Sequence, residues 1–486
     1  MIQALAVSAL LASAAGQLIV DTHRHRPIER HFQQLIPNTL GQKPLASSQE
    51  HHDVPPFKAG QFTKKLQGNE TCPTYGESQW TGTIDVTDKH RLFYWYFDSR
   101  NDPANDPIII WMNGGPGGSS MMGLFNEMGP CWLDVKTDLP SPNKWAWNNN
   151  ASVLFLDQPA GVGFSSLAAG APHPTKDMDG AEDFQQFLNI FFSKVLPEKK
   201  SLPIHIAAES YGGHYGPVYV NHILNSRRYQ SKNAFWGNIT SMILIDAVLD
   251  FTGPAVGVYE LLCEDVEKTN ILNHTACEKI AQGMPEVQKL GQNCDAANDG
   301  KECLAMITYS AEKIHVFYSD LVEAGKRHMY NIHLPCPNPP DCRDITKGNF
   351  TQYLNLDRVR KALDVPASKI FSDINWAINR GYSDYGDPWK PTSKEVAAIL
   401  EAYNELPYIG DIKLMVLNGN ADYIVNTPGN IWTYDNLRWS GQAEYRIKKW
   451  RPFPEGIAAT GKWKALKNGR LAFVAVDGAG HTVPGD

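Results

Sequence analysis

Three residues whose types cooperate in nucleophilic catalysis stand in distinctive local settings. Ser210 lies in Ile206-Ala-Ala-Glu-Ser-Tyr-Gly-Gly-His-Tyr215, where small residues flank it on both sides. Asp422 ends the run Asn418-Gly-Asn-Ala-Asp422, and His481 ends the run Asp477-Gly-Ala-Gly-His481. A histidine can remove the proton of a serine hydroxyl, and a carboxylate can hold that histidine in the required tautomer. Together the three residues predict acyl transfer through a covalent serine intermediate.

The surroundings of the serine are typical of a nucleophile elbow, a tight turn from a strand into a helix. An apolar run, Ile204 to Ala208, meets the serine at once, and glycines follow. The turn would raise the Ser210 hydroxyl above the sheet and aim the Tyr211 N–H at the reacting carbonyl. A match of this kind is weak on its own, because ordinary loop serines produce it too.

A glycine-rich run, Trp111-Met-Asn-Gly-Gly-Pro-Gly-Gly-Ser-Ser120, follows an earlier apolar burst. Enzymes with a nucleophile elbow place a second oxyanion donor in such a loop, and glycines let the backbone approach a substrate closely. A phosphate-binding loop is the alternative, but the Gly-Lys-Ser/Thr ending that it requires is missing. We therefore expect an oxyanion-binding loop.

Short apolar bursts bounded by turn residues must position these groups. Near-continuous apolar runs are typical of strands buried on both faces of a parallel sheet. Helix-like stretches such as Asp179 to Val195 alternate with them, which predicts a doubly wound α/β fold after an initial antiparallel pair. The predicted strands are Thr81 to Val86, Arg91 to Phe97, Ile108 to Met112, Val153 to Leu156, Ile204 to Ala208, Met242 to Ile245, Ile412 to Leu417 and Leu471 to Val476. The last two of these are predicted to be the final strands in the chain.

Asp422 and His481 each follow the carboxyl end of one of the last two predicted strands. The chain order serine, acid, histidine is that of an α/β-hydrolase triad. In an open α/β sheet, sites form at the carboxyl ends of the strands. We therefore predict an α/β-hydrolase fold with a mostly parallel, doubly wound sheet and the three side chains at one edge of it.

The sequence divides into five predicted segments. Residues 1–16 have the short apolar centre and small-residue end of a signal peptide, and the polar residues 17–60 are predicted to be an extension or pro-segment. Residues 61–250 form the first part of the core. Residues 251–345 hold six of the eight cysteines and break the α/β rhythm, which indicates a cap insertion. Residues 346–486 form the second part of the core.

Composition and charge exclude some functions and indicate a compartment. A net charge of −7 argues against nucleic-acid binding and against a basic membrane-binding patch. The even number of cysteines and a leader peptide predict secretion, with delivery to a vacuole as the alternative. Five glycosylation sequons agree with this, at Asn69, Asn150, Asn238, Asn273 and Asn349.

Five sequence blocks stand in order along the chain: Trp111 to Ser120, Phe155-Leu-Asp-Gln-Pro-Ala-Gly-Val-Gly-Phe-Ser165, Glu209 to Tyr215, Asn418 to Tyr423, and Gly480-His-Thr-Val-Pro484. Through these blocks, from about Gly82 to its last residue, the chain resembles the serine carboxypeptidases, in particular the carboxypeptidase Y-like, secreted fungal members. The resemblance implies an enzyme that removes single residues from the C-termini of peptides and proteins, without a metal or cofactor. It also implies a final helix beyond residue 486, so that the second part of the core would be truncated.

The resemblance also implies a role for each site residue. Ser210 would attack, His481 would act as general base and then general acid, and Asp422 would hold the imidazole tautomer. The N–H groups of Gly115 and Tyr211 would form the oxyanion hole. The substrate's terminal carboxylate would be bound by Asn113, the Gly114 N–H and Glu209. Glu127 would support Glu209.

The resemblance further implies three short disulfides in the cap, Cys263–Cys277, Cys294–Cys303 and Cys336–Cys342. The two remaining cysteines then pair as Cys72–Cys131, a link between distant parts of the chain. No nucleic-acid partner or membrane anchor is expected.

Two further expectations concern activity. A protonated Glu209 could donate a hydrogen bond to the substrate's carboxylate, so peptide hydrolysis should favour acidic pH.

Two rival functions use the same scaffold: an acyltransferase, in which an alcohol replaces water, and a secreted glycoprotein without catalytic activity.

Overall fold

The computed structural model describes residues 57–264, 271–339, 342, 347–404 and 411–486. The predicted signal peptide, 1–16, and all of the predicted extension, 17–60, except residues 57–60, lie outside the described residues.

A twelve-stranded sheet forms the centre of the described structure, and a separate two-stranded sheet lies beside it. The order of the main sheet is β1-β2-β3-β7-β4-β9-β10-β11-β14-β13-β12, with β8 paired to β3, whereas β5 and β6 form the small sheet. The strands are β1 Lys65–Gln67, β2 Gln79–Asp85, β3 His90–Phe97, β4 Ile108–Met112, β5 Cys131–Leu133, β6 Pro140–Pro142, β7 Ser152–Leu156, β8 Ser166–Leu167, β9 Ile204–Glu209, β10 Ile239–Ile245, β11 Lys413–Gly419, β12 Arg451–Pro452, β13 Gly461–Ala465 and β14 Leu471–Val476.

The middle of the main sheet is parallel, from β7 through β4, β9, β10 and β11 to β14. Side chains of its strands bury on alternate faces. On β4, for example, Ile108, Ile110 and Met112 join one hydrophobic core, and Ile109 and Trp111 join the core on the opposite face. The two-sided burial confirms the predicted fold class and explains why these strands are apolar throughout.

Helices cover both faces of the sheet and form a separate helical region between β10 and β11. Some begin at side-chain caps: the Asn375 side chain, for example, accepts N–H groups at the start of α9. The helices are α1 Asp177–Ile190, α2 Gly212–Arg228, α3 Thr252–Cys263, α4 His274–Ala297, α5 Gly300–Ser310, α6 Val316–Glu323, α7 Phe350–Leu354, α8 Asp357–Ala362, α9 Trp376–Tyr385, α10 Ser393–Glu401, α11 Thr427–Asp435 and α12 Gln442–Arg446, with short π-helical or 3₁₀ turns at Gly123–Glu127, Trp147–Asn149, Phe191–Val195, Pro197–Lys199, Ala311–His315, Asp387–Trp389, Ala402–Asn404 and Val483–Gly485.

A third hydrophobic core joins α3 to α6 and includes Ala421 and Tyr423 from the loop after β11. Three disulfides lie in this helical region, Cys263–Cys277, Cys294–Cys303 and Cys336–Cys342. The fourth, Cys72–Cys131, joins residues 59 apart in the sequence. The first three are the pairs that the resemblance implied, and the fourth is the pair that remained by elimination.

One expectation about the strands was wrong. The final two strands of the sheet were predicted to be those that precede Asp422 and His481. In the sequence, the hairpin of β12 and β13 lies between β11 and β14. In the sheet, β11 pairs directly with β14, and β13 pairs antiparallel to the other side of β14. The strand β13, Gly-Lys-Trp-Lys-Ala, alternates uncharged residues with lysines, and only Lys464 is buried among them. It therefore lacks the apolar burst by which the parallel strands were identified.

Candidate active site

The nucleophile elbow joins β9 to α2 at Ser210. The residue adopts a left-handed backbone conformation, with φ of 59°, which is strained for any residue with a side chain. Two hydrogen bonds hold it there: its N–H donates to the Ile245 carbonyl, and its own carbonyl accepts from the Val248 N–H, each at 3.0 Å. Ser210 is half-buried between buried neighbours, so the turn leaves the hydroxyl side accessible. The predicted turn is present.

Small residues around the serine are required by close contacts. A Cβ added at Gly213 would lie 2.2 Å from the Val248 carbonyl oxygen, and one at Gly212 would lie 2.8 Å from the Ala208 Cβ. A Cβ at Gly114 would lie 2.3 Å from the Tyr211 nitrogen and 2.6 Å from the Glu209 carbonyl oxygen. The glycine-rich loop therefore packs directly against the backbone of the elbow.

Gly114→Ala should therefore displace either the loop or the elbow. Because displacement of reacting groups by about 1 Å costs on the order of 100-fold in rate, we expect kcat/KM to fall by about that factor for ester and peptide substrates alike. Gly300→Ala is the matched control, since its added Cβ would make only ordinary contacts, at 3.5 Å or more. Wild-type kinetics of Gly114→Ala would show that the loop does not set the elbow's geometry.

Asp422 and His481 meet at the carboxyl ends of β11 and β14. The His481 Nδ1 lies 2.7 Å from the Asp422 Oδ2, and Asp422 is completely buried. The other Asp422 oxygen accepts the Ile424 and Val425 N–H groups at 2.9 and 3.3 Å. The Ala421 N–H donates to the Ala479 carbonyl at 2.8 Å, which joins the two loops. Since β9, β10, β11 and β14 are adjacent and parallel, the serine elbow opens on the same edge of the sheet.

Residues 315–330, which were predicted from the sequence to belong to a cap, contact His481 and the residue that follows Asp422. The His481 N–H donates to the Tyr330 carbonyl at 2.8 Å, and the ring centroids of the two residues are 5.2 Å apart. Tyr423, next to Asp422, hydrogen-bonds His315 through its hydroxyl at 2.7 Å and stacks on Tyr318. Burial lowers the pKa of His315 to about 4, so this imidazole is neutral at physiological pH. These contacts were not foreseen from the sequence, because the cap residues carry no recognisable motif.

The two predicted oxyanion donors are available for a substrate. Among the described residues, neither the Tyr211 N–H nor the Gly115 N–H donates a hydrogen bond to another backbone group. Gly115 has φ of 113°, a conformation that side chains disfavour. Two serines fix the loop: the Ser119 hydroxyl donates to the Asp157 carboxylate at 2.5 Å, and the Ser120 hydroxyl donates to the Leu156 carbonyl at 2.6 Å.

Asp157 is a residue whose role sequence reasoning missed. Its completely buried carboxyl group also accepts the Ser120 and Phe164 N–H groups, at 3.0 and 2.9 Å. Burial raises its pKa to about 6, although the Ser119 hydroxyl and the backbone N–H groups favour the ionised form. Asp157 therefore joins the oxyanion loop to the loop after β7. The signal was present, since Asp157 lies in one of the five sequence blocks.

Three buried polar side chains form a cluster beside the elbow. The Asn113 amide donates to Glu209 at 3.0 Å and to Glu127 at 3.3 Å, and the Asn113 oxygen accepts the Trp111 indole N–H at 2.7 Å. The exposed fraction is 0 % for Glu127 and 2 % for both Glu209 and Asn113. Among the described residues, no group outside the glutamate pair donates a hydrogen bond to the Oε2 atom of either glutamate.

Electrostatics favour a proton on this pair of glutamates. Burial raises the pKa of Glu209 well above its usual value, and the neighbouring Glu127 carboxyl raises it further. Burial also raises the pKa of Glu127, although a hydrogen bond with Glu209 offsets part of the effect. Because two buried carboxylates in contact repel, one proton is shared between the two groups, and it belongs to the pair. The cluster brings together Asn113, Glu209 and Glu127 as predicted, with Gly114 beside them.

Comparisons with known proteins agree with this arrangement. The family model described as serine carboxypeptidase matches residues 70–486. Carboxypeptidase Y homolog A of Chaetomium globosum is 34% identical over 411 residues, covering 84% of this chain and 69% of the relative. Carboxypeptidase Y of Schizosaccharomyces pombe is 33% identical over 450 residues, covering 90% of this chain and 42% of the relative.

A solved structure extends the comparison to the fold. Kex1, a prohormone-processing carboxypeptidase from Saccharomyces cerevisiae, superposes with a TM-score of 0.67, covering 87% of this chain and 92% of that chain at 24% identity. The fold is thus that of an α/β hydrolase whose Ser, Asp and His follow three strands of one sheet. More narrowly, the chain belongs to the serine carboxypeptidase family, and it is a hydrolase of C-terminal peptide bonds.

Proposed function

We propose that this enzyme cleaves the last peptide bond of its substrates through an acyl-enzyme on Ser210 and that it prefers acidic pH. The observation that carries the proposal is the buried Asn113–Glu209–Glu127 cluster directly beside the elbow. A hydrolase of internal bonds or of esters has no need of a buried site that binds a carboxylate. An exopeptidase needs one to recognise the free C-terminus.

The chemistry at the serine follows from the Asp422–His481 pair. The Ser210 hydroxyl attacks the carbonyl carbon of the last peptide bond while His481 takes its proton, and the imidazolium is stabilised by Asp422 at 2.7 Å. The Gly115 and Tyr211 N–H groups stabilise the oxyanion. His481 then gives the proton to the departing amine, and water hydrolyses the acyl-enzyme with the same base. No step requires a metal or a cofactor.

The glutamate pair explains the acidic preference. At low pH the shared proton allows Glu209 to donate a hydrogen bond to the substrate's terminal carboxylate, together with the Gly114 N–H. The Asn113 amide, whose two N–H groups donate to Glu209 and Glu127, holds the two glutamates in place. When pH rises through the elevated pKa of the pair, the proton is lost and an ionised Glu209 repels that carboxylate. Peptide hydrolysis is therefore strong below this pKa and declines above it. Substrates without a free carboxylate do not depend on the proton.

Glu209→Gln tests this role, because glutamine keeps a hydrogen-bond donor that cannot ionise. We expect the profile of kcat/KM against pH for a blocked dipeptide to lose much of its alkaline decline. The profile for a blocked ester without a free carboxylate should keep its shape. Glu323→Gln is the control: Glu323 is half-buried on α6, and burial raises its pKa as well, but it lies outside the cluster. Identical dipeptide profiles for wild type and Glu209→Gln would remove Glu209 from the proposed role.

The paired cysteines and the exposed sequons support transit through an oxidising compartment, and we propose secretion, or alternatively delivery to a vacuole. All eight cysteines are paired, which is typical of proteins outside the cytosol. Four of the five sequon asparagines are exposed and Asn349 is half-buried. At Asn273 and Asn349 the side-chain oxygen caps a helix. This leaves the amide nitrogen of Asn273 to carry a glycan, whereas the amide nitrogen of Asn349 also donates to the Gln352 side chain at 3.3 Å. No helix in the described part of the chain is long and apolar enough to cross a membrane.

A further inference from the structure

The glycine-rich loop after β4 exposes Gly115 and buries the residues on both sides of it, 111–114 and 116–120. The Gly115 N–H is one of the two oxyanion donors of the proposed mechanism. Among the described residues, it donates to no other backbone group. The direction in which this N–H points therefore depends on how the buried residues next to it are held.

The peptide group between Pro116 and Gly117 is held at both ends by side chains. The Asn379 amide donates to the Pro116 carbonyl at 3.0 Å, and the Gly117 N–H donates to the Tyr215 hydroxyl at 3.2 Å. Tyr215 lies on α2, the helix that begins at the elbow, whereas Asn379 lies on α9, 263 residues after Pro116 in the chain. One peptide group, directly after the oxyanion donor, is thus fixed between two helices.

The segment that leads into α9 also pairs with the loop. The Asn375 N–H donates to the Gly117 carbonyl at 2.9 Å, and the Ser119 N–H donates to the Asp373 carbonyl at 2.8 Å. A Cβ added at Gly117 would lie 2.9 Å from the Asn375 carbonyl oxygen. The backbone of the loop therefore packs directly against the start of α9, which leaves it no space to move toward the helix.

The same helix contacts the residue that carries the second oxyanion donor. Tyr382 lies three residues after Asn379 and therefore on the same face of α9, and both side chains are buried. The Tyr382 ring packs edge to face on Tyr211 and Tyr215, with ring centroids 6.0 and 6.2 Å apart. Its hydroxyl donates to the Lys176 carbonyl at 3.0 Å, which fixes the ring. One face of α9 thus reaches both halves of the proposed oxyanion hole.

Helix stability does not account for an asparagine at position 379. Asparagine is a poorer helix former than leucine or alanine, and a buried amide is costly unless it is hydrogen-bonded. Leucine would suit a buried helical position, but it could not donate to the Pro116 carbonyl. The asparagine is therefore explained by its contact with the loop and not by the helix that carries it.

We propose that Asn379 is a positioning residue of the oxyanion hole: by holding the Pro116 carbonyl from α9, it keeps the Gly115 N–H aimed at the substrate oxygen that becomes negative in the transition state. The inference rests on the proposed function, since it requires acyl transfer in which this N–H stabilises an oxyanion. Donors of this kind accelerate a reaction because they are already in place when the charge develops. Asn379 therefore contributes to the rate of acyl transfer and not to the binding of the unreacted substrate.

Asn379→Leu tests the proposal, because it removes the amide donor and keeps much of the side-chain volume. We expect kcat/KM for a blocked dipeptide to fall by at least about tenfold, mainly through kcat, but by less than the roughly 100-fold or more that loss of an oxyanion donor costs. Asn379→Ala also lacks the donor and should show the same loss, so the test stands if one variant folds poorly. Ser383→Ala is the matched control and should keep wild-type kinetics: Ser383 is buried on α9 too, but its hydroxyl donates within the helix, to the Asn379 carbonyl at 2.9 Å.

A pair of inhibitors separates positioning from a purely structural role. A blocked peptide aldehyde forms a tetrahedral adduct with a nucleophilic serine, and the oxygen of the adduct occupies the oxyanion hole. The corresponding peptide alcohol binds without forming an adduct. We expect both Asn379 variants to bind the aldehyde more weakly, by about the factor by which kcat/KM falls, and to bind the alcohol as wild type does. A purely structural role would leave the ratio of the two affinities unchanged.

The same inhibitors distinguish failure of the proposed function from failure of this inference. If wild type binds the aldehyde no more tightly than the alcohol, or if Ser210→Ala keeps the preference for the aldehyde, the acyl-enzyme mechanism is wrong and this inference is wrong with it. If wild type prefers the aldehyde and both Asn379 variants keep the full preference, the mechanism stands and the role of Asn379 is refuted. An equal loss in Ser383→Ala would also refute it, because the effect would then not depend on the hydrogen bond to Pro116.

Discussion

Ser210→Ala should abolish peptidase activity while leaving the fold intact. The hydroxyl is the proposed nucleophile, and loss of a nucleophile in a serine hydrolase lowers kcat by roughly 10⁵- to 10⁶-fold. Folding should survive, because the two hydrogen bonds that hold the elbow use the Ser210 backbone and not its hydroxyl. Alanine also meets the same steric limit at φ of 59° as serine does. We therefore expect a melting temperature within about 2 °C of wild type.

A serine-directed phosphonate reagent provides the second readout. Wild type should be labelled at Ser210 and the variant should not, whereas Ser193→Ala, an exposed serine on a π-helical turn, should behave as wild type. A wild-type protein that resists labelling would favour a non-catalytic glycoprotein. Release of free amino acid from a blocked dipeptide, in the presence of an alcohol, separates hydrolysis from acyl transfer. Activity of Ser210→Ala within a few-fold of wild type would show that the elbow assignment is wrong.

The sheet was predictable where burial on both faces leaves an uninterrupted apolar run. Ile108 to Met112 coincides with β4, and the runs before Ser210 and His481 coincide with β9 and β14 to within a residue. Strands that lack such a run were missed. In β6, for example, Pro-Ser-Pro has no run of apolar residues that could mark it, and β13 owes its position to pairing with β12 and β14.

The site was predictable where motifs and family resemblance carry it, and not where tertiary contacts alone create it. Ser210, Asp422 and His481 stand in glycine-rich turns whose composition is visible in the sequence. His315 and Tyr330 lie in stretches without a recognisable motif, and only tertiary contacts bring them to Tyr423 and His481. Their contribution arises from neighbours that are distant in the chain.

Asp422→Asn should reduce kcat about as severely as loss of a catalytic group, by roughly 10⁴-fold. In wild type the Asp422 Oδ2 accepts the His481 Nδ1–H at 2.7 Å, which leaves Nε2 free to take the serine proton. An asparagine amide at this place donates to Nδ1, so the imidazole keeps its proton on Nε2 and cannot act as the base. The other oxygen still accepts the Ile424 and Val425 N–H groups, so the loop should keep its conformation.

Imidazole ¹⁵N NMR measures the tautomer directly and separates this explanation from a loss of folding. Wild type should show a proton on the His481 Nδ1, and Asp422→Asn should show it on Nε2, with little change in melting temperature. Asp250→Asn, which removes a charge from another partly buried acid outside the triad, should alter neither the tautomer nor kcat. The tautomer explanation requires that the proton moves to Nε2 and that kcat falls in the same variant, because the proton on Nε2 is what prevents the imidazole from acting as the base. A variant that keeps the Nδ1 proton yet loses activity would assign Asp422 an electrostatic role, and one that moves the proton yet stays active would remove His481 from the role of base.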